Sequence, residues 1–446
     1  MANTRKRASV KPAKPSAITR LEIAGYKSIS APQSLEIRPL TILAGANSSG
    51  KSSVMQPLLM LKQTLAEASD PGAILLDGPN VKSTSAKQML CKCRTNACRN
   101  GFAVGIEVDS DTKVTTRYVM ADGGFSIESM DYQAPGDPKI VLKERMSHEE
   151  ILPQLPSESE HFPVSIPPRA KWKVTRNRCF LELVLGVTRL GTFRVGLIPP
   201  EKINLVIGGV IHLPGLRGNP EPTYPVRAVG RYFPGLFQDY VASVIDNWQA
   251  RKDGALSALK SDLERLGLTW TVQARHVSDT RVELRVGRLP RAVRGGAQDV
   301  VSIADVGVGV SQALPVVVAV RAAKPGQLVY IEQPEIHLHP RAQIAMAEIL
   351  ADAAKRGVRV VAETHSDLLL LAIQSLVAEG KLSPELVQLH WFKRGLDGCT
   401  EIKSAQLDDS GAFGAEWPED FAATRLEIEN RYLDAVEARH WKPKHG

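Results

Sequence analysis

The 446 residues hold no apolar run long enough to cross a bilayer, which excludes a helical membrane protein. The first residues lack an apolar core, so they do not read as a signal peptide. Cysteines number five, an odd count that argues against a secreted disulfide framework. A reduced, cytoplasmic protein is the expectation. No acidic cluster suggests a nuclease centre, no Ser/His/Asp arrangement is readable, and no internal repeat is evident. Sustained heptads are missing between 90 and 300, and prolines are scattered through 135–225, so no long coiled coil is expected there. Acids are outnumbered, 48 Asp and Glu against 56 Lys and Arg, giving a net charge of +8.

Part of that excess lies at the ends. Arg5, Lys6, Arg7, Lys11 and Lys14 meet no acid in residues 1–17, and Arg439, Lys442 and Lys444 crowd the last residues. A basic leader rich in Pro and Ala reads as a disordered tail, with a nucleic-acid arm as the alternative. Two inner clusters, Arg169, Lys171, Lys173, Arg176 and Arg178 around Trp172, and Arg285, Arg288, Arg291 and Arg294, place basic side chains where alternate positions share a strand face. Such a stripe can track phosphates or pair with the acids of a partner, so nucleic acid is permitted but not shown. The length predicts two to three domains, and 43% hydrophobic residues fill a sizeable core.

The most informative segment is Gly45-Ala46-Asn47-Ser48-Ser49-Gly50-Lys51-Ser52, followed by Ser53. It matches G-x-x-x-x-G-K-[ST], the phosphate loop of NTPases. Its context fits: Leu40-Thr41-Ile42-Leu43-Ala44 reads as a buried strand, and Val54, Leu58, Leu61 and Leu65 recur at helical spacing. Glycines let backbone N–H groups face a phosphate, and the helix N-terminus adds positive potential. Lys51 would neutralise the β- and γ-phosphates of ATP, and the Ser52 hydroxyl would ligate Mg²⁺. Pro57 is expected to break or kink the helix early.

Such a loop needs a carboxylate at the end of a neighbouring strand. Gln327–Ile331 is a strand-like run that ends in Glu332-Gln333-Pro334-Glu335, followed by Ile336-His337-Leu338-His339-Pro340. A third run, Val358–Ala362, ends in Glu363-Thr364-His365-Ser366, which would aim His365 at the γ-phosphate. Before the carboxylate strand, Asp305-Val306-Gly307-Val308-Gly309-Val310-Ser311-Gln312 is glycine-rich and precedes the apolar stretch Ala313–Ala323. It reads as a second anion-binding nest, and it lacks the third glycine of a dinucleotide fingerprint. Cys91, Cys93 and Cys98 raise a zinc site or, with Lys92, Arg94 and Arg99 around them, a basic hairpin of free thiols. His337 and His339 look like a metal pair but fit packing at a subunit interface as well.

Phosphate loop, Gly-Ser-Gln segment, carboxylate strand and late histidine, in this order, resemble the ABC-type ATPase heads of RecF, the structural-maintenance-of-chromosomes proteins and the overcoming-lysogenization-defect (OLD) family. Leu21–Ile29 is similar to the first strand of that clade. Glu332–Pro340, Glu363–Ser366, Ile211–Gly218 and Trp417-Pro418 resemble a subgroup of compact AAA-family ATPases, many of them encoded in bacterial anti-phage systems beside an effector. The resemblance implies an α/β P-loop head of two lobes (18–130 and 296–446) with a β-rich and helical insertion (131–295). It also implies two heads sandwiching two ATP molecules. Gly307, Gly309, Ser311 and Gln312 would then contact the γ-phosphate bound by the other subunit. His365 becomes the switch histidine, Ser52 and Glu332 hold Mg²⁺, and Gln88 is a candidate Gln loop. The usual Asp-Glu pair is Glu332-Gln333 here, which leaves Glu332 or Glu335 as the base, or a slow, long-lived ATP state. The residues after His365 are too few for the nuclease domain that many OLD proteins append, so an ATPase without it is the expectation. The functional expectation is a sensor ATPase, a dimer or larger, that controls a separate effector; the alternative is a RecF-like factor that clamps DNA.

Overall fold

The computed structural model describes residues 15–93, 100–155, 170–187, 195–198, 201–291, 299–414 and 430–436. Cys98, Arg169, Arg294, Trp417-Pro418, most of the basic leader and the last basic residues lie outside them.

A six-stranded sheet positions the site. Its order is Ile211–Leu213, Leu328–Glu332, Arg359–Thr364, Leu40–Gly45, Val387–Arg394 and Thr400–Ala405. The first five strands run parallel and the last pairs antiparallel. Alternate residues feed two cores. Leu40, Ile42, Val329, Ile331, Val360 and Ala362 face one, while Leu43, Leu328, Tyr330 and Val361 face the other. Burial on both faces is why these strands read as unbroken apolar runs.

Helices Val308–Ala322, Pro340–Lys355 and Asp367–Ala378 pack on the first face with the pair Val241–Arg251 and Gly254–Arg265. Helix Lys51–Ala66 covers the second face with an antiparallel sheet of six strands that starts at Gln33–Glu36 and ends at Ile140–Leu142. The fold is the expected mixed α/β architecture.

Three expectations need correction. The boundary at 130/131 cuts the strand Gly124–Gln133, and the one at 295/296 separates Val300–Ser302 from its partner Arg281–Gly287. Within the expected insertion, Ile211–Leu213 is a strand of the central sheet, because its three residues are wholly buried beside Val329–Ile331. Pro57 does not end its helix, which runs to Ala66; burial of Val54, Met55, Leu58, Leu59 and Leu61 offsets the one hydrogen bond that proline removes.

Candidate nucleotide site

The strand Leu40–Gly45 delivers the loop, and the loop delivers the helix at Lys51. Two glycines are required by contact as well as by dihedral. Gly45 has φ 144°, and a Cβ there would lie 2.4 Å from the Phe392 carbonyl oxygen. Gly50, at φ 104°, would place a Cβ 2.5 Å from Thr400 Oγ1 and 2.9 Å from Ser28 Oγ. Lys51 is buried, and its Nζ donates to the carbonyls of Gly45 (2.9 Å) and Ala46 (2.8 Å). Burial lowers its pKa, opposed by the charges of Glu363 and Glu335, so both carboxylates are near the lysine. Ala46, Asn47 and Ser48 are exposed, whereas Ser49 is buried and its Oγ has no partner.

A cavity of about 540 Å³ opens beside the loop, within the size range of small-ligand sites. Ser48 to Ser53 line it together with Lys27, Lys92, Arg394, Glu363 and Gln88. Four cationic side chains around one acid make a cradle for a polyanion. Gln88 is therefore beside the loop. No motif in the sequence marks Lys27, Lys92 or Arg394 for this place, because each comes from a segment remote from the loop in the chain.

Three carboxylates stand across from the loop. Glu332 and Glu363 are register partners at the ends of adjacent parallel strands. Glu363 accepts from Ser52 Oγ (3.1 Å) and from the Tyr330 hydroxyl (2.9 Å). Burial, then the charge of Glu332, raises its pKa. Glu332 is turned toward the edge strand, where it takes the Gly215 N–H (3.1 Å) and meets His212 Nε2 at 3.3 Å. Burial opposes its charge, but the His212 hydrogen bond leads the groups that outweigh it, and its pKa ends below the ordinary range. His212 is 2% exposed and lies flat on Tyr330, with rings 5.4 Å apart at 8°. Its tautomer is determined by Asn80, whose Nδ2 donates to the Gly235 carbonyl (3.1 Å) and lies 3.2 Å from His212 Nδ1. Nδ1 must accept, so Nε2 carries the proton and donates to Glu332. Glu335 is buried, and its Oε1 takes the backbone N–H of His365 (3.0 Å) while Oε2 has no partner.

Gln333 follows Glu332 in a left-handed conformation, φ 48°, with its N–H donating to the Glu363 carbonyl at 2.7 Å. Its amide oxygen lies beside Gly215. His365 is half-buried; burial and then Lys51 hold its pKa below the usual histidine value, so the ring is neutral and next to the loop lysine.

The glycine-rich segment differs from its expected form. The helix begins at Val308 with Gly307 as N-cap, so Gly309, Ser311 and Gln312 sit inside the helix rather than before it. Ser311 and Gln312 are buried: Ser311 Oγ donates to the Val308 carbonyl (3.0 Å) and Gln312 Nε2 to that of Gly218 (2.8 Å). Only Gly307 and Val308 of this turn are exposed. Arg217 fastens the same turn to the carboxylates. Its guanidinium donates to the carbonyls of Gln312 (3.2 Å), Glu332 (2.6 Å) and Gln333 (3.1 Å).

His339 caps the helix Pro340–Lys355 through its Nδ1, and His337 is exposed. Cys399 joins Cys91 and Cys93: burial, then hydrogen bonds with the Cys399 and Cys91 thiols, raises the Cys93 pKa. Among the described residues no group of three His, Cys, Asp or Glu is placed to hold a metal ion. No helix among them is long and apolar enough to cross a membrane.

A family model described as "AAA domain, putative AbiEii toxin, Type IV TA system" matches residues 233–372, which include the Gly307–Gln312 segment, both carboxylate strands and His365 but not the phosphate loop. Among solved structures, an SMC head bound to the C-winged helix domain of ScpA is similar at 12% identity and a TM-score of 0.50, over 88% of this chain and 99% of that one. An SMC head with an extended coiled coil from Pyrococcus furiosus, bound to the C-terminal domain of ScpA, matches at 11% identity and 0.45, over 95% and 100% of the two chains. The SMC head domain of Thermotoga maritima matches at 10% and 0.41, over 87% and 98%. No curated protein matches the chain. The fold is similar to that of an SMC head domain.

Proposed function

We propose that the chain is a slow, regulatory ATPase that assembles in its ATP-bound form and controls a separate effector protein in a bacterial defence system. The observation that carries the ATPase reading is the meeting of Lys51, Ser52, Glu363 and Glu335 at one end of the sheet. The residues fit ATP and Mg²⁺: two glycines leave no room for a Cβ, Ser49 Oγ and Glu335 Oε2 are buried without partners, and Ser52 with Glu363 offers the hard oxygen donors that Mg²⁺ takes. When bound, Mg²⁺ neutralises charge on the phosphates.

The chain's own groups then divide the work. Loop N–H groups and Lys51 hold the phosphates, and Ser52 and Glu363, with Glu332 beside them, form the metal side. His365 lies where a γ-phosphate reports its presence. Glu335 orients the attacking water through its free Oε2. Gln333 stands after Glu332, where an acid is usual, and an amide accepts no proton at neutral pH, so turnover is slow. The exposed Gly307–Val308 turn is the surface offered to the nucleotide of a second copy. The defence role is supported by the motif order and by the description of the matching family model.

Hydrolysis and mass, measured together, test this reading. Glu335→Gln should lower turnover by roughly 10²-fold, the usual worth of a positioned base, and leave an ATP-dependent dimer visible by light scattering. Gln333→Glu should raise turnover and shorten the life of that dimer. Turnover that survives Glu335→Gln but fails in Glu332→Gln would return the base to Glu332. Equal mass with and without ATP in every variant would remove the sandwich.

A further inference from the structure

Cys91, Cys93 and Cys399 are half-buried thiols from segments remote in the chain, and the thiol of Cys93 hydrogen-bonds with the other two. The backbone fixes their meeting from both sides. Cys91 N–H donates to the Gly25 carbonyl (2.9 Å) and Lys27 N–H to that of Met89 (2.9 Å), which lays the segment carrying the first two thiols along Gly25–Ser28. The Ser28 carbonyl then takes the Cys93 thiol at 3.7 Å and the Thr400 N–H at 2.7 Å. One oxygen thus holds Cys93 against the residue that follows Cys399. The cluster borders the nucleotide cavity, which Ser28, Lys92 and Arg394 line. It is also tied to the phosphate loop itself. Thr400 Oγ1 donates to the Ser49 carbonyl (2.7 Å) and stands against Gly50. Arg394 grips the Gly398 carbonyl through Nε (3.2 Å) and reaches the Ser48 carbonyl through Nη1 (3.3 Å).

We propose that Cys93 and Cys399 are a peroxide-sensitive pair whose oxidation to a disulfide weakens the phosphate loop's hold on nucleotide. The thiolate is the attacking form, and burial with the neighbouring thiols keeps Cys93 protonated, so the first step falls to Cys399. Its sulfur breaks the O–O bond of the peroxide; a sulfenic acid forms, and the departing hydroxide takes the thiol proton as water. The Cys93 sulfur then displaces the sulfenic hydroxyl, which leaves with the Cys93 proton as a second water. Each sulfur gives up one electron and the peroxide gains both. A bridge from Cys93 to Cys91 would tie one segment to itself, whereas a bridge to Cys399 joins two remote ones. Bonded sulfurs stand about 2 Å apart, closer than thiols in contact. Closing that gap draws Cys399 inward and moves Thr400, which holds the Ser49 carbonyl. The effect on the loop rests on the nucleotide reading above; the disulfide itself does not.

The test treats the reduced full chain with a small excess of hydrogen peroxide, maps its peptides, and titrates ADP with Mg²⁺ by calorimetry. Trypsin cuts after Lys92 and Arg94, so Cys91, Cys93 and Cys98 fall on separate peptides and the bonded pair is identified directly. A Cys93–Cys399 cross-link supports the proposal when ADP affinity falls about tenfold, the scale of one hydrogen bond lost at the loop, and dithiothreitol reverses both. Cys399→Ser and Cys93→Ser should each abolish the cross-link and the loss of affinity, while Cys91→Ser should keep both. Absence of the cross-link, equal affinity in the oxidised and reduced chains, or a loss that persists in Cys399→Ser overturns the proposal. So does stoichiometric zinc on the purified chain that shields the thiols from peroxide, which would make the cluster a metal site. A reduced chain that binds no ADP strikes the nucleotide reading and the effect on the loop with it, and the peptide map still decides the disulfide.

Discussion

The two banks of the nucleotide site are built in opposite ways. The loop side is one run of chain, Gly45 to Ser52, whose shape follows from two glycines and the start of a helix. The carboxylate side is assembled from four remote pieces: Asn80, the His212–Arg217 segment, Glu332–Glu335 and Glu363–His365. A run of chain keeps its geometry through local dihedrals. An assembled bank keeps it only through hydrogen bonds between pieces, so it can be loosened from a distance.

The largest effect should come from the local side. Lys51→Ala removes the buried cation of the loop and should cost roughly 10²–10³-fold in turnover, with ATP affinity measured alongside by calorimetry. Unchanged turnover and affinity would dissolve the comparison by removing one of its terms. The assembled side is reached through His212→Phe, which keeps the ring against Tyr330 but loses the proton given to Glu332. The Mg²⁺ concentration for half-maximal turnover should rise by about 10–100-fold, the usual worth of a residue that orients a metal-side carboxylate. A lower maximal rate with no shift in Mg²⁺ dependence would mean that the histidine only packs.

A smaller effect reports the bond that joins the two banks. Ser52→Ala, Glu363→Gln and the double variant form a cycle whose coupling in Mg²⁺–ADP binding should be about 1 kcal/mol, since the two side chains touch. Additive losses would show that the banks act separately. The smallest effect concerns Lys62, whose ammonium donates to the carbonyls of Phe233 and Gly235 at 2.9 Å, behind Asn80 and His212. Burial lowers its pKa from 10.5 to about 8. Between those values the unfolded chain holds the extra proton, so stability rises with pH across that window. Lys62→Met should flatten the rise in denaturant midpoint between those two pH values. An equally steep rise in the variant would place the titrating group elsewhere.

The same contrast governs what the sequence discloses. The loop, its strand and its helix are readable because every residue concerned is a neighbour of the next. Glu363 is quoted in any reading of Glu363–Ser366, yet its place opposite Ser52 follows from parallel register with Glu332, which no local pattern carries. Asn80 has no sequence signal at all. Strand Val387–Arg394 hides because Gln388 and His390 are buried within it; His390 is satisfied by the Glu36 carbonyl (2.8 Å) and Ser404 (2.9 Å), so polar letters interrupt an apolar run. Strand Gly124–Gln133 hides for another reason. A bulge opposite Arg117 and Tyr118 shifts its buried residues from Phe125 and Ile127 to Met130 and Tyr132, which breaks the period of two. Glycines make the Gly307–Gln312 segment read as a loop before the helix, whereas Gly309 is accommodated in the first turn.

The left-handed backbone at Gln333 acts as a filter on inheritance. Its φ of 48° disfavours Val, Ile and Thr, and its N–H is committed to the Glu363 carbonyl, which excludes Pro. A glutamine codon reaches glutamate by one base change, and glutamate keeps the volume and the dihedral tolerance of glutamine. In the slow ATPase proposed above, the step to faster turnover is thus a single substitution away. Of the residues that one base change of this codon reaches, glutamate is the one that puts a carboxylate at this position.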